Sequence, residues 1–118
     1  MIKHHNDLNF VLANARSLKP KLYSLVDTLE EINGHLSVIT ETWFRSSPQL
    51  EELLGDTEDI TGYGFIRKDR AESGSDCVRG GGVAIVYKKC ELEMTKLNIP
   101  GEFEIVASLA RRTGQRRK

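Results

Sequence analysis

Five apolar residues constrain this chain more than anything else in it. Leu18, Leu22, Leu25, Leu29 and Ile32 follow one another at spacings of four, three, four and three. With about 3.6 residues per turn, such positions share one face of a helix. Lys19, Lys21, Asp27, Glu30 and Glu31 fall largely on the other faces. The stripe predicts a helix over residues 18–33. Ser17 is placed to cap its start, and Pro20 is tolerable because it falls in the first turn. Asn33-Gly34 supplies the stop, with the glycine able to turn left-handed. Short apolar runs flank the helix. Residues 8–14 put Leu8, Phe10 and Leu12 on one strand face and end at Asn14. Residues 36–41 form a second run and end at Glu41. Strand, helix and strand with tight connections predict a βαβ crossover with the two strands parallel.

Beyond that unit the pattern becomes rich in strands. A short helical turn is expected over 49–54 and a third strand over 63–68. A polar, glycine-bearing loop runs from Asp69 to Gly82 and leads into a fourth strand over 83–88. Further strands are expected over 91–97 and 103–110, with turns at Pro100-Gly101 and Thr113-Gly114. No partner strand for 103–110 is evident. The organisation read from this is a disordered start over 1–7, a folded region over 8–110 and a basic tail over 111–118. The fold class is α/β: one β-α-β unit followed by a mainly antiparallel strand run.

At 118 residues the chain suits one domain. Its 39% hydrophobic and 29% charged residues fit a globular protein. The formal net charge is zero, so bulk charge selects no polyanionic partner. The last eight residues nevertheless carry five positive charges, which suits either phosphate or a solvated terminus. Cys77 and Cys90 match no zinc or redox spacing and make no disulfide framework. The start, Met1 to Asp7, lacks an apolar signal core, and no run approaches the ~18 apolar residues of a membrane span. A nuclear or cytoplasmic location follows, with no membrane and no disulfide-linked partner.

In an open α/β sheet, sites gather at the carboxyl ends of parallel strands. Asn14 and Glu41 end the two strands of the βαβ unit, so adjacency of those strands would set them side by side. A carboxylate with an amide makes part of a magnesium site, because Mg²⁺ takes one or two carboxylates together with water and substrate phosphate. The plainer reading makes Asn14 a turn residue and Glu41 a solvated strand end.

Four segments arrive in a suggestive order. They are Asn14-Ala15-Arg16-Ser17-Leu18, Ile39-Thr40-Glu41-Thr42-Trp43-Phe44, Gly62-Tyr63-Gly64-Phe65 with Arg67-Lys68-Asp69-Arg70, and Arg79-Gly80-Gly81-Gly82-Val83-Ala84-Ile85-Val86-Tyr87. Together they resemble the first part of the endonuclease/exonuclease/phosphatase superfamily. They look most like the apurinic-endonuclease-like domain of non-LTR retrotransposon proteins. The resemblance implies a partial α/β/β/α sandwich and Mg²⁺-dependent cleavage of a DNA phosphodiester. By motif match, Asn14 and Glu41 take catalytic places, with Glu41 as metal ligand. Arg70 and Arg79 lie toward the nucleic acid.

The family's catalytic aspartate, its Gly-Asp-Phe-Asn-like strand end and its aspartate–histidine pair have no counterpart here. His4, His5 and His35 are read as solvated. The resemblance therefore implies the N-terminal half of a domain, inactive alone and lacking cover for part of its apolar surface. Two alternatives remain. One is a non-catalytic fragment or element relic, binding nucleic acid through Arg67, Lys68, Arg70, Arg79 and the tail. The other is a phosphatase of the same fold. Gly80-Gly81-Gly82 lacks the Lys-Ser/Thr and helix of a P-loop and reads as a flexible hairpin. Trp43 reads as a packing residue beside the site, with base stacking as its alternative.

Overall fold

Strand β1 (Phe10–Asn14) and strand β2 (Leu36–Thr40) pair in parallel, with Asn14 opposite Thr40. The computed structural model describes residues 9–69, 81–97 and 107–112. Between the two strands a 3-10 turn (Lys19–Lys21) leads into helix α1 (Leu22–Glu31). Helix α2 (Pro48–Thr61) follows, then β3 (Tyr63–Lys68), β4 (Val83–Lys88), β5 (Leu92–Leu97) and β6 (Ala107–Arg112). Four strands form one sheet in the order β1-β2-β4-β3, with β4 antiparallel to both neighbours. The architecture is mixed α/β, one parallel β-α-β unit continued by antiparallel strands.

The predicted βαβ unit is present, with its helix trimmed at both ends. Pro20 sits in the 3-10 turn, and the regular helix starts only after it. Ser17 is not a cap, because its φ of +81° is left-handed and its N–H donates to the Glu41 carbonyl at 3.0 Å. At the other end Asn33, not Gly34, takes the left-handed turn, at φ +56°. Gly34 is needed for space, since a Cβ there would lie 2.9 Å from Leu29 Cδ2. Ile32 therefore falls off the stripe and is half exposed, while Val26 joins Leu22 and Leu29 in the core.

Helix α2 is much longer than the turn expected over 49–54. Its signals are nonetheless local. The Ser47 hydroxyl accepts the Leu50 N–H at 3.0 Å, Pro48 opens the helix and Gly62 closes it. In the polar stretch after Leu54, Thr57 and Thr61 donate their hydroxyls to carbonyls four residues back, so these polar side chains are satisfied within the helix. The buried face is Leu50, Leu54 and Thr57.

Both helices cover one face of the four-stranded sheet. Leu22, Val26 and Leu29 from α1 and Leu50 and Leu54 from α2 pack with Ile39, Tyr63 and Val86 of the sheet. The opposite face carries the row Leu12–Val38–Ile85–Ile66 in register across the four strands. Exposure falls steeply along that row, from 78% at Leu12 to 8% at Ile66, and Phe10 on the same edge is 66% exposed. The apolar surface without cover thus lies along the β1 side.

Strand β6 pairs with β5, antiparallel, from Leu92 opposite Arg112 to Leu97 opposite Ala107. This strand therefore has its partner in this chain, contrary to the expectation. Arg111 and Arg112 belong to it rather than to a tail. The turns at Pro100-Gly101 and Thr113-Gly114, His4, His5 and Cys77 lie outside the described residues, and Cys90 is exposed. His35 is buried, not solvated. It starts the pairing of β2, and its Nδ1 accepts the Asn9 N–H at 3.0 Å. Among the described residues no helix is long and apolar enough to cross a membrane.

Tyr63 is wholly buried and donates its hydroxyl to the Gly34 carbonyl at 3.2 Å. Burial pushes its phenol up to about 12, with Glu30, Cys90 and Glu91 adding to the rise. The fold therefore holds the neutral phenol. This stabilisation is complete below the ordinary tyrosine value near 10 and is lost as pH climbs from there toward 12. In an alkaline titration, Tyr63 is expected to ionise only together with unfolding. Smooth ionisation of all three tyrosines with the fold intact would contradict this packing.

Candidate nucleic-acid and metal site at the strand ends

The parallel pair sets Asn14 and Glu41 side by side at its carboxyl end. The Asn14 Nδ2 donates to Glu41 Oε2 at 2.8 Å. The carboxylate can only accept, so the amide must present its NH₂ here. Asn14 lies on the sheet face away from the helices, since it shares the parity of Phe10 and Leu12.

The backbone around this pair is unusual. Among the described residues five non-glycine positions have positive φ, and four of them are here: Arg16 at +47°, Ser17 at +81°, Glu41 at +54° and Trp43 at +57°. Each such residue costs on the order of 1–3 kcal/mol and persists only where its surroundings over-determine it. The surroundings do so through cross-loop hydrogen bonds. Ser17 and Leu18 donate their N–H groups to the carbonyls of Glu41 and Thr42, at 3.0 and 2.9 Å. Thr42 and Trp43 donate theirs to the carbonyls of Gly82 and Gly81, at 3.3 and 2.8 Å. Three chain segments are thereby stitched together at one end of the sheet.

Gly81 and Gly82 are consequently not a loose hairpin. Gly82 sits at φ +91°, and a Cβ on it would meet Thr42 Oγ1 at 2.5 Å. Thr42 is wholly buried and cannot yield, since its Oγ1 also accepts the Phe44 N–H. Gly82→Ala is expected to destabilise the chain by about 1–3 kcal/mol in urea denaturation. An unchanged midpoint would mean that these segments do not meet closely.

Along residues 41–45 the side chains alternate in and out. Thr42 and Phe44 are buried, while Trp43 and Arg45 are exposed and Glu41 is part-exposed. Trp43 is 42% exposed, so it is not the packing residue expected from composition. Beside it opens a cavity of about 450 Å³ whose lining includes Ser17, Lys19, Trp43, Phe44, Arg45 and Leu50.

Arg67 is engaged within the fold. It lies on the helix-covered face and pairs with Glu51 of α2 and with Asp69. Burial draws its guanidinium down, but the Glu51 hydrogen bond and the Asp69 charge leave it above its ordinary value. Arg67 in turn holds the Glu51 carboxyl below its usual range. The buried Asp69 accepts from Ser46 Oγ at 3.0 Å, which ties the end of β3 to the start of α2. Lys68 is 9% exposed. Arg70 and Arg79 lie outside the described residues.

The donor set at the strand ends is one carboxylate and one amide, all hard oxygen and nitrogen groups. Among the described residues no three His, Cys, Asp or Glu side chains cluster for a metal. One carboxylate suits Mg²⁺, which keeps several waters and borrows phosphate oxygens, and does not suit a cation that needs a full protein cage. Sequence reasoning placed Asn14 and Glu41 at adjacent strand ends, where they meet, and took their proposed roles from the family resemblance. It missed Lys19, Arg45 and the outward set of Trp43, whose only local signal is the alternation of residues 41–45.

No protein-family profile matches the chain, and no curated protein matches it. Among solved structures it is similar to the 3′ phosphatase NExo from Neisseria bound to a product DNA hairpin, at TM-score 0.52 and 15% sequence identity. The match covers 76% of this chain and 32% of that protein, so this chain spans about a third of its length. The likeness at this identity is one of fold, and the fold is that of an exonuclease/phosphatase-type α/β sandwich in part.

Proposed function

We propose that this chain supplies the first part of a Mg²⁺-dependent site for hydrolysing phosphodiesters in DNA, of the kind carried by non-LTR retrotransposon endonucleases. The observation that carries the reading is the Asn14–Glu41 hydrogen bond at 2.8 Å, set on strained backbone at the carboxyl end of a parallel strand pair. The ordered sequence segments and the fold likeness support it.

In this reading Glu41 would be the carboxylate that holds Mg²⁺. A bound Mg²⁺ would supply polarisation of a phosphoryl oxygen and acidify a nearby water. Asn14 has two roles. One N–H fixes the Glu41 carboxylate, and the second remains for a phosphate oxygen. The general base and any second acidic ligand lie outside this pair. The chain alone is therefore expected to bind divalent cation and DNA with little cleavage. Supercoiled plasmid incubated with the chain and Mg²⁺ tests this. Robust nicking that Glu41→Ala abolishes would overturn the claim that the pair is insufficient.

A second reading is removal of a 3′ phosphate from DNA. It draws on the solved neighbour, which is a 3′ phosphatase. Release of phosphate from a 3′-phosphorylated hairpin, without nicking of the plasmid, would favour it.

A further inference from the structure

Among the described residues, most basic side chains are already engaged. Arg67, Lys89 and Arg111 each face a carboxylate, and Lys21 and Lys96 donate to backbone carbonyls. Arg16, Lys19, Arg45 and Lys88 have no such partner among the described residues. Lys88 ends β4 at the other end of the sheet, and the first three stand around the stitched loops. Lys19 and Arg45 line the cavity beside Trp43, together with the buried Phe44 and Leu50 and with Ser17, Ser46 and Ser47.

Trp43 itself is held in a way that packing does not require. Its neighbours Thr42 and Phe44 are buried, its N–H is tied to the Gly81 carbonyl, and its φ is left-handed. The result is a rigid backbone that turns a large aromatic ring partly outward. Trp43 lines a cavity with the apolar Phe44 and Leu50, three serines and two cations that have no ion-pair partner among the described residues. An apolar ligand would not select the cations, and a simple anion would not select the indole. A group that is flat and aromatic at one end and anionic at the other satisfies both. A nucleotide has that form, and stacking with backbone electrostatics is how single strands are held without sequence preference.

We propose that Trp43, Lys19 and Arg45 form a subsite for one unpaired nucleotide of DNA beside the Asn14–Glu41 pair. The base stacks on the indole, and the flanking phosphates lie against the two cations. Ser17 ties the cavity to the pair, since its N–H donates to the Glu41 carbonyl. The subsite deepens the nucleic-acid reading of the preceding section and rests on it for DNA as the polymer. A protein that acts where one strand is opened or frayed would use such a subsite to keep a displaced base away from the scissile phosphate.

Trp43 is the sole tryptophan, so its emission reports on this site alone. The full chain is titrated in EDTA with a single-stranded deoxyoligonucleotide, with a blunt duplex, and with a strand lacking bases. The single strand is expected to quench Trp43 at low salt, with weaker binding as salt rises. The duplex quenches less, and the strand lacking bases binds without quenching. With a labelled oligonucleotide, Trp43→Ala is expected to weaken binding roughly 5- to 150-fold, as loss of one stacked base implies, and Trp43→Phe to restore most of it. Lys19→Ala and Arg45→Ala each lower affinity and flatten the salt dependence, while Arg111→Ala on β6 does neither.

Absence of quenching at low salt overturns the subsite, as does quenching that ignores Lys19→Ala and Arg45→Ala. EDTA separates this result from the metal reading. Stacking that persists while Glu41 proves irrelevant to divalent cations would leave the subsite and remove the hydrolytic role. Loss of Mn²⁺ binding on changing Glu41, with no oligonucleotide binding, would do the reverse.

Discussion

Glu41→Gln is expected to remove divalent-cation binding from this chain and leave its fold unchanged. Glutamine keeps the shape of the side chain, and its carbonyl oxygen can still accept the Asn14 N–H that now reaches Oε2 at 2.8 Å. The backbone at φ +54° asks the same of both residues. Glu41 is partly exposed, so the change leaves no buried charge unpaired, and stability should move by no more than about 0.5 kcal/mol. A hard cation, by contrast, loses the one carboxylate that the pair offers. Titration with Mn²⁺ followed by its electron spin resonance would read the loss, and a urea melt would read the fold. Asn14→Ala is a milder test. It keeps the charge and removes the donor that orients it, which for a supporting partner means roughly a 10- to 100-fold weaker metal affinity. Equal Mn²⁺ affinity in wild type and Glu41→Gln would show that the carboxylate is only a solvated strand end.

Leu29→Ala is expected to cost about 2–5 kcal/mol of folding stability. Leu29 is wholly buried in the cluster that joins both helices to the sheet. Its Cδ2 fills the space where Gly34 lacks a side chain, and the Gly34 carbonyl accepts the Tyr63 hydroxyl. Truncation therefore opens a cavity between α1 and the turn that starts β2. That turn cannot collapse inward easily, because the Asn33 and Gly34 N–H groups are already bound to the carbonyls of Glu30 and Leu29. A domain of this size has only about 5–15 kcal/mol in total. The open β1 side, with Leu12 78% exposed, adds little to it. A shift in urea midpoint equivalent to under about 1 kcal/mol would contradict the packing of α1 on this sheet.

What could be read in advance divides by the range of the interaction. The stripe from Leu18 to Leu29 and the alternation in β1 and β2 are local repeats, and they led to the βαβ unit and to the Asn14–Glu41 contact. The bounds of β3 and β4 came from the same kind of signal. Helix α2 was also local, through Ser47, Pro48 and Gly62, but its acidic run hid a helical face that Thr57 completes. The remaining features depend on partners far along the chain. Trp43 and Gly81 meet although they stand 38 positions apart in the sequence, and no periodicity records that contact. The ion pair of Arg67 likewise follows from Glu51 on a different element, and the burial of His35 from the Asn9 backbone. Ser17 shows the conflict most directly. Its residue type favours a cap, but its N–H is committed to Glu41, and the tertiary bond wins.

The left-handed backbone at Arg16, Ser17, Glu41 and Trp43 has a consequence for how this end of the sheet meets a ligand. The strain is borne when the chain folds, not when a cation or a nucleotide arrives. The site is thus preorganised, and association need not freeze a mobile loop, which is among the larger entropic penalties of binding. The same rigidity narrows what evolution can place there. Each of these positions must tolerate a conformation that β-branched side chains avoid, so the loop can vary in chemistry only among residues that accept its shape.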